Sequence, residues 1–226
     1  MLWTIAIAVS FLSGSVPYGL LLARWFAGID IREHGSGNIG ATNVGRVLGA
    51  RLGLVCFTLD VLKGFVPTIG FGLAAGVVGT LSIPPTDAWL WLATMAAAVL
   101  GHLFCPWIGF RGGKGVATGL GALLGVYPAL SLSALVALGV WIVTLRLWKF
   151  VGVSSTLAAI SLPISVAVIF LLRDAWNSAT PFLVVTLALA ALVVFKHRGN
   201  LRRTLAGTEP KFGDRARSAT VDQPAS

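Results

Sequence analysis

The chain has 226 residues, 56% of them hydrophobic and 11% charged, and its mean hydropathy is +0.87. That composition excludes an ordinary soluble domain, and the length suffices for several membrane crossings. Seventeen basic residues against eight acidic give a net charge of +9, yet the basic residues flank apolar runs and seven of them lie from Lys196 onward. The imbalance therefore reads as membrane topology and anionic-lipid chemistry, not nucleic-acid binding.

Apolar segments run over residues 2–23, 52–81, 89–108, 115–145, 150–172 and 177–195. The first lacks a basic n-region and a small-x-small cleavage site, so it is expected to be a retained crossing and not a signal peptide. Arg24, Arg32, Arg46 and Arg51 mark the first connection as cytoplasmic, whereas "SIPPTDAW" at 82–89 has no basic residue and is expected outside. Arg111 and Lys114 return the chain to the inside, Arg146 and Lys149 are also cytoplasmic in character, and the basic tail belongs on the same side. Cys56 and Cys105 lie in or beside apolar segments without metal-ligand spacing, and no disulfide can be argued from them.

This pattern sets a parity problem. Lys114 and Arg146 share a side, so the 31 residues between them must cross an even number of times. At about 1.5 Å per residue, two crossings of a roughly 30 Å core need about 40 residues. "GVYPAL" at 125–130 offers a turn, because Gly125 and Pro128 interrupt helices. A short-helix hairpin gives seven crossings with the N-terminus outside. A single tilted helix gives six and violates charge parity. The expected fold is thus all-α: a polytopic membrane protein of seven transmembrane helices, including a short-helix hairpin near 115–145. Residues 1–209 form one transmembrane domain, and the polar stretch 210–226, without apolar periodicity, is expected to be a disordered cytoplasmic tail. The glycines at 70, 72, 76 and 79 and at 115, 119, 121 and 125 read as helix-packing surfaces, and no internal repeat is present.

Three polar clusters fall on the expected cytoplasmic side. In "DIREHGSGNIGATNVGR" at 30–46, glycines such as Gly37 expose backbone N–H groups. Ser36, Asn38, Thr42 and Asn43 add neutral donors, and Arg32 and Arg46 add charge. The cluster suits a phosphate, and reads equally well as a flexible connector. In "FRGGKGVATG" at 110–119, Arg111 and Lys114 bracket Gly112 and Gly113, and a helix begins near Gly115. Its N-terminus favours an anion, while the topological reading of the two cations stays open. The motif lacks the full spacing and preceding strand of a nucleotide-binding loop, which excludes an ATPase. In "KHRGNLRRTLAGTE" at 196–209, Arg202 and Arg203 read as headgroup anchors, but His197, Asn200 and Glu209 are not explained by topology. His102, closing an oily stretch, is either a satisfied helix-end residue or part of a site. No Ser–His–Asp arrangement, nucleophile elbow or metal-ligand pattern is evident. The residues describe a mouth rich in oxyanion donors beside the membrane. An enzyme acting on two phosphates and the gate of an anion transporter both fit it, and a lipid-binding scaffold fits its basic tail.

The three clusters together resemble the motifs of the bacterial acyl-phosphate-dependent glycerol-3-phosphate acyltransferase family. "SGSVPYGLLLARWFAGIDIREHGSGNIGATNVGR" at 13–46 is similar to its first motif region, "GHLFCPWIGFRGGKGVATGLG" at 101–121 to its second, and "HRGNLRRTLAGTE" at 197–209 to its third. The resemblance implies seven crossings of the bacterial inner membrane, an external N-terminus and an active site on the cytoplasmic side. It implies transfer of a fatty acyl group from acyl phosphate to the sn-1 hydroxyl of glycerol 3-phosphate, giving lysophosphatidate and phosphate. Acyl-CoA and acyl-carrier protein are not donors, and no cofactor or metal is implied. The family's catalytic positions fall on Ser36, Arg46, Lys114, His197, Asn200 and Glu209. Substrate phosphates are expected at Ser36, Gly37, Asn38, Thr42, Asn43, Arg46, Gly112, Gly113, Lys114 and Gly115, with support from His102 and Arg111. The partners implied are the two substrates and membrane lipids.

Overall fold

Within a bilayer every backbone polar group must be satisfied by the protein itself, which leaves helices or closed barrels. This chain takes helices. The computed structural model describes residues 1–214, and no strand occurs among them. The helices are α1 (Leu2–Ser15), α2 (Tyr18–Ala27), α3 (Ala41–Leu48), α4 (Ala50–Ala74), α5 (Pro85–Leu103), α6 (Val116–Gly125), α7 (Ser131–Trp148), α8 (Val151–Leu172) and α9 (Thr180–Leu205). Counting α1 and α2 together, six segments among the described residues are long and apolar enough to cross a membrane, and α6 is a shorter apolar helix beside them.

The expected hairpin is present but asymmetric. α6 has 10 residues and α7 has 18, about 15 and 27 Å at 1.5 Å per residue, so α6 reaches only part of the way through a core of roughly 30 Å. Its truncated end is satisfied by neighbours: Ser131 Oγ donates to Leu124 O at 2.8 Å, and Gly79 N–H donates to Tyr127 O at 3.0 Å. α6 lies tightly against α4. A Cβ on Gly121 would sit 1.9 Å from the carbonyl oxygen of Val61, so only glycine permits this approach.

Two apolar segments are divided differently from the sequence expectation. Residues 2–23 do not form one continuous helix, because Pro17 lacks an N–H and α1 gives way to α2 at Val16–Pro17. Lys63 Nζ satisfies the Val16 carbonyl at 2.8 Å, and Cys105 Sγ donates to Ser15 O at 2.9 Å. In the segment 52–81 the helix stops at Ala74, and Val77 and Ile83 instead enter the core as part of a non-helical connection. Pro67 inside α4 leaves the Lys63 carbonyl without its helical donor, and Ser13 Oγ donates to it at 2.9 Å.

The core gathers Trp91, Leu92 and Met95 of α5 with Val126, Leu130, Phe170 and Phe182. α1 packs on α5, α4 on α6, α7 on α8 and α8 on α9. Of the tail expected over 210–226, residues 215–226 lie outside the described residues, while Phe212 N–H donates to Lys149 O at 2.6 Å. Because α6 carries Lys114 at its entrance, its contact with α4 governs where that lysine sits. Gly121→Val is expected to cost about 1–3 kcal/mol through overpacking. A lowered thermal midpoint in detergent checks this, and an unchanged midpoint contradicts the close contact.

Candidate active site

The first polar cluster is braced, not a loose connector. Asp30 accepts from Arg32 N–H at 3.0 Å and opens a short 3-10 turn, Ile31–Glu33. The Arg32 guanidinium then folds back on Asp30, with Nη2–Oδ2 at 2.5 Å, and this hydrogen-bonded pairing holds the Asp30 carboxyl well below the usual carboxylate range. Arg32 is thereby neutralised within the loop. Asn43 is buried in α3: its Oδ1 accepts from Ser36 N–H at 2.8 Å, and its Nδ2 donates to His34 O at 2.9 Å and Ile31 O at 3.2 Å. Its amide is spent on holding the loop, a task other than the phosphate contact expected of it. Asn38 Oδ1 accepts from Gly40 N–H at 2.9 Å just before α3, an arrangement typical of asparagine in turns. Ser36 is exposed, Thr42 half-buried in the first turn of α3, and Arg46 half-buried without an ion pair among the described residues.

The second cluster faces the first. Arg32, Glu33, Gly37 and Ile39 from one side and Arg111 and Gly112 from the other line a cavity of about 330 Å³. The N–H groups of Gly112 and Gly113 donate to Leu103 O and His102 O, both at 3.1 Å. These two glycines therefore fix the loop against the end of α5, and their N–H groups are engaged there. Gly115, at a left-handed φ of +76°, turns the chain into α6.

The third cluster supplies the partners. His197 and Asn200, one turn apart in α9, share a face. Lys114 Nζ donates to Asn200 Oδ1. Asn200 Nδ2 donates to Glu209 Oε1 at 2.5 Å, and Glu209 Oε2 accepts from Arg203 Nε at 2.7 Å. Arg203, read from sequence as a headgroup anchor, is thus paired with the largely buried Glu209. His197 is buried, with Nδ1 2.8 Å from Val193 O. A carbonyl only accepts, so Nδ1 carries the proton and Nε2 of the neutral ring keeps its lone pair. Burial pushes the Lys114 ammonium down to about 8. The positive charges of Arg203 and Arg46 act in the same direction, and Glu209 opposes them.

The structure thus unites Lys114, Asn200 and Glu209 directly and brings Arg46 into their electrostatic neighbourhood. His197 lies one turn along the same helix, and Gly37, Arg111 and Gly112 line the adjoining cavity. The sequence reading passed over Asp60 and Lys63. Their side chains are 3% and 2% exposed and pair at 2.7 Å inside α4. Two ionisable residues in an otherwise apolar run were the available signal.

The sequence model for the glycerol-3-phosphate acyltransferase family matches residues 4–207. A glycerol-3-phosphate acyltransferase of Geotalea daltonii is 43% identical over 203 residues, covering 90% of this chain and 94% of that one. The protein of that name from Geobacter sulfurreducens is 44% identical, covering 91% and 95% respectively. The crystal structure of PlsY (YgiH), an integral membrane glycerol 3-phosphate acyltransferase in its glycerol 3-phosphate form, superposes with a TM-score of 0.79 at 34% identity. That match covers 93% of this chain and 96% of that chain. The lysophosphatidic acid form of PlsY gives a TM-score of 0.77 at 33% identity, covering 94% and 96%.

The depressed Lys114 value has a measurable consequence. Burial favours the neutral amine, whereas an anion needs the ammonium, so anion binding above about pH 8 must be accompanied by proton uptake. Calorimetric titration with inorganic phosphate between about pH 7.5 and 9.5 should show affinity falling with pH, approaching roughly tenfold per unit. Lys114→Arg should flatten this limb, because a guanidinium stays charged. A wild-type affinity independent of pH contradicts a role for Lys114 in holding the anion.

Proposed function

The chain belongs to the glycerol-3-phosphate acyltransferase family, and from that premise we propose that it transfers a fatty acyl group from acyl phosphate to the sn-1 hydroxyl of glycerol 3-phosphate. The products are lysophosphatidate and inorganic phosphate. The observation that carries the proposal is the Lys114–Asn200–Glu209 network, with Arg46 nearby, at the edge of a bundle of membrane-spanning helices. The cations Arg46, Lys114 and Arg203 outnumber the single carboxylate of Glu209, a surplus suited to two phosphate-bearing substrates. The long side chain of the donor would remain in the lipid.

Acyl phosphate is a mixed anhydride and already activated. The glycerol oxygen attacks the acyl carbonyl carbon, the new ester C–O bond forms, and the bond from that carbon to the phosphate oxygen breaks. The hydroxyl proton is accepted through Nε2 of His197 and ends on the departing phosphate, so His197 is regenerated without a covalent acyl-enzyme. Arg46 and Lys114 offset charge on the substrate phosphates and on the leaving group. Asn200 and Glu209 keep Lys114 aimed, and Ser36 at the exposed loop orients phosphoryl oxygens. The basic connections support a mouth on the cytoplasmic side, with the N-terminus outside, by the positive-inside rule.

The test is direct. Purified protein in lipid vesicles, given acyl phosphate and glycerol 3-phosphate, should yield lysophosphatidate and phosphate in equal amounts, and none from acyl-CoA. Absence of product from acyl phosphate would sink the donor assignment. Lys114→Ala and Arg46→Ala should each lower kcat/KM by about 100-fold or more, and His197→Ala should lower kcat by about 100-fold. Wild-type kinetics in any of these would remove that residue from the mechanism.

A further inference from the structure

A second ionisable cluster lies behind the Lys114 loop. Asp60 and Lys63 occupy one turn of α4 and His102 the last turn of α5, with side chains 3%, 2% and 4% exposed. A charge at such a position is strongly unfavourable unless paired, so its partners reveal what holds it there. Lys63 Nζ lies 2.7 Å from Asp60 Oδ1 and donates to Val16 O, the carbonyl at the break that launches α2 toward the first polar cluster. In the other direction, Asp60 Oδ1 lies 3.8 Å from His102 Nδ1, beyond hydrogen-bond reach, and His102 Nδ1 has no hydrogen-bond partner among the described residues. Two buried polar atoms thus face each other across a short electrostatic gap.

The rest of His102 is committed to the second polar cluster. Its carbonyl accepts from Gly113 N–H at 3.1 Å, and a Cβ on Gly113 would fall 2.2 Å from its Nε2. The imidazole therefore packs directly on the backbone of the residue preceding Lys114. A string of contacts runs from the α1–α2 break through Lys63, Asp60 and His102 to the backbone that carries Lys114. We propose that Lys63–Asp60–His102 is a strut between the two walls of the site, and that Asp60 is a positioning residue that sets Lys114 through His102. It touches no substrate. Neither a headgroup anchor nor a topology signal accounts for a charge pair in the middle of α4, whereas a strut requires it there.

The inference rests on Lys114 being a phosphate ligand. The loss of phosphate affinity from wild type to K114A reports that role, and the comparison between backgrounds reports the strut. Inorganic phosphate affinity would be read by 31P line broadening, which reaches millimolar binding, on purified D60N/K63M, K114A and the triple variant. D60N/K63M removes both charges together and leaves neither unpaired. It should weaken phosphate about tenfold where Lys114 is present and have no further effect in K114A, since a positioning residue acts only through what it positions. His102→Gln tests the same string from its other end, with the same expected dependence on Lys114. Equal weakening in both backgrounds, or wild-type affinity in folded D60N/K63M and H102Q, would overturn the strut.

Discussion

A lysine ammonium half-buried at the rim of an apolar bundle must find partners, and the fold is arranged around that need. Lys114 stands at the entrance to α6, yet the oxygen that receives it belongs to Asn200, 86 residues further along. Glu209 aligns that asparagine by accepting a hydrogen bond from its amide and is itself held by Arg203. Closing this contact joins the second and third motifs. The same partial burial that makes the ammonium costly makes it effective toward an anion, because desolvated charges interact more strongly than hydrated ones.

The membrane imposes the second constraint. At three helix breaks or ends a polar side chain takes up a freed carbonyl: Lys63 at Val16, Ser13 at Lys63, Ser131 at Leu124. These breaks are what place the motif loops. The α1–α2 break sends α2 toward residues 30–46, and Lys114 stands just ahead of the short α6. Close packing of α4 on α6 through Gly121 fixes the depth of that entrance. Membrane packing and site geometry are therefore one problem, not two.

The sequence was informative where physics acts locally. Hydropathy marks the segments that form helices, and charge parity calls for the hairpin of α6 and α7. The motif residues came from resemblance, since spacing alone left enzyme and transporter both open. Roles set by distant contacts stayed hidden. Asn43 looked like a free donor, but its amide closes the loop against Ile31 and His34. Gly112 and Gly113 looked like phosphate donors, but their N–H groups are spent on the end of α5. Arg203 looked like an anchor because nothing local says that Glu209 turns back onto it. Asp60 and Lys63 were visible as charges in an apolar run, but their partners at Val16 and His102 are set by tertiary packing.

The central claim is that the Lys114–Asn200–Glu209 network exists to present a cation to a substrate phosphate. A structure of this chain with glycerol 3-phosphate bound tests it most directly. The account predicts phosphate oxygens within hydrogen-bond distance of Lys114 Nζ and Arg46, with Asn200 still linked to Glu209. Phosphate bound elsewhere, with Lys114 and Arg46 both out of reach, would contradict it.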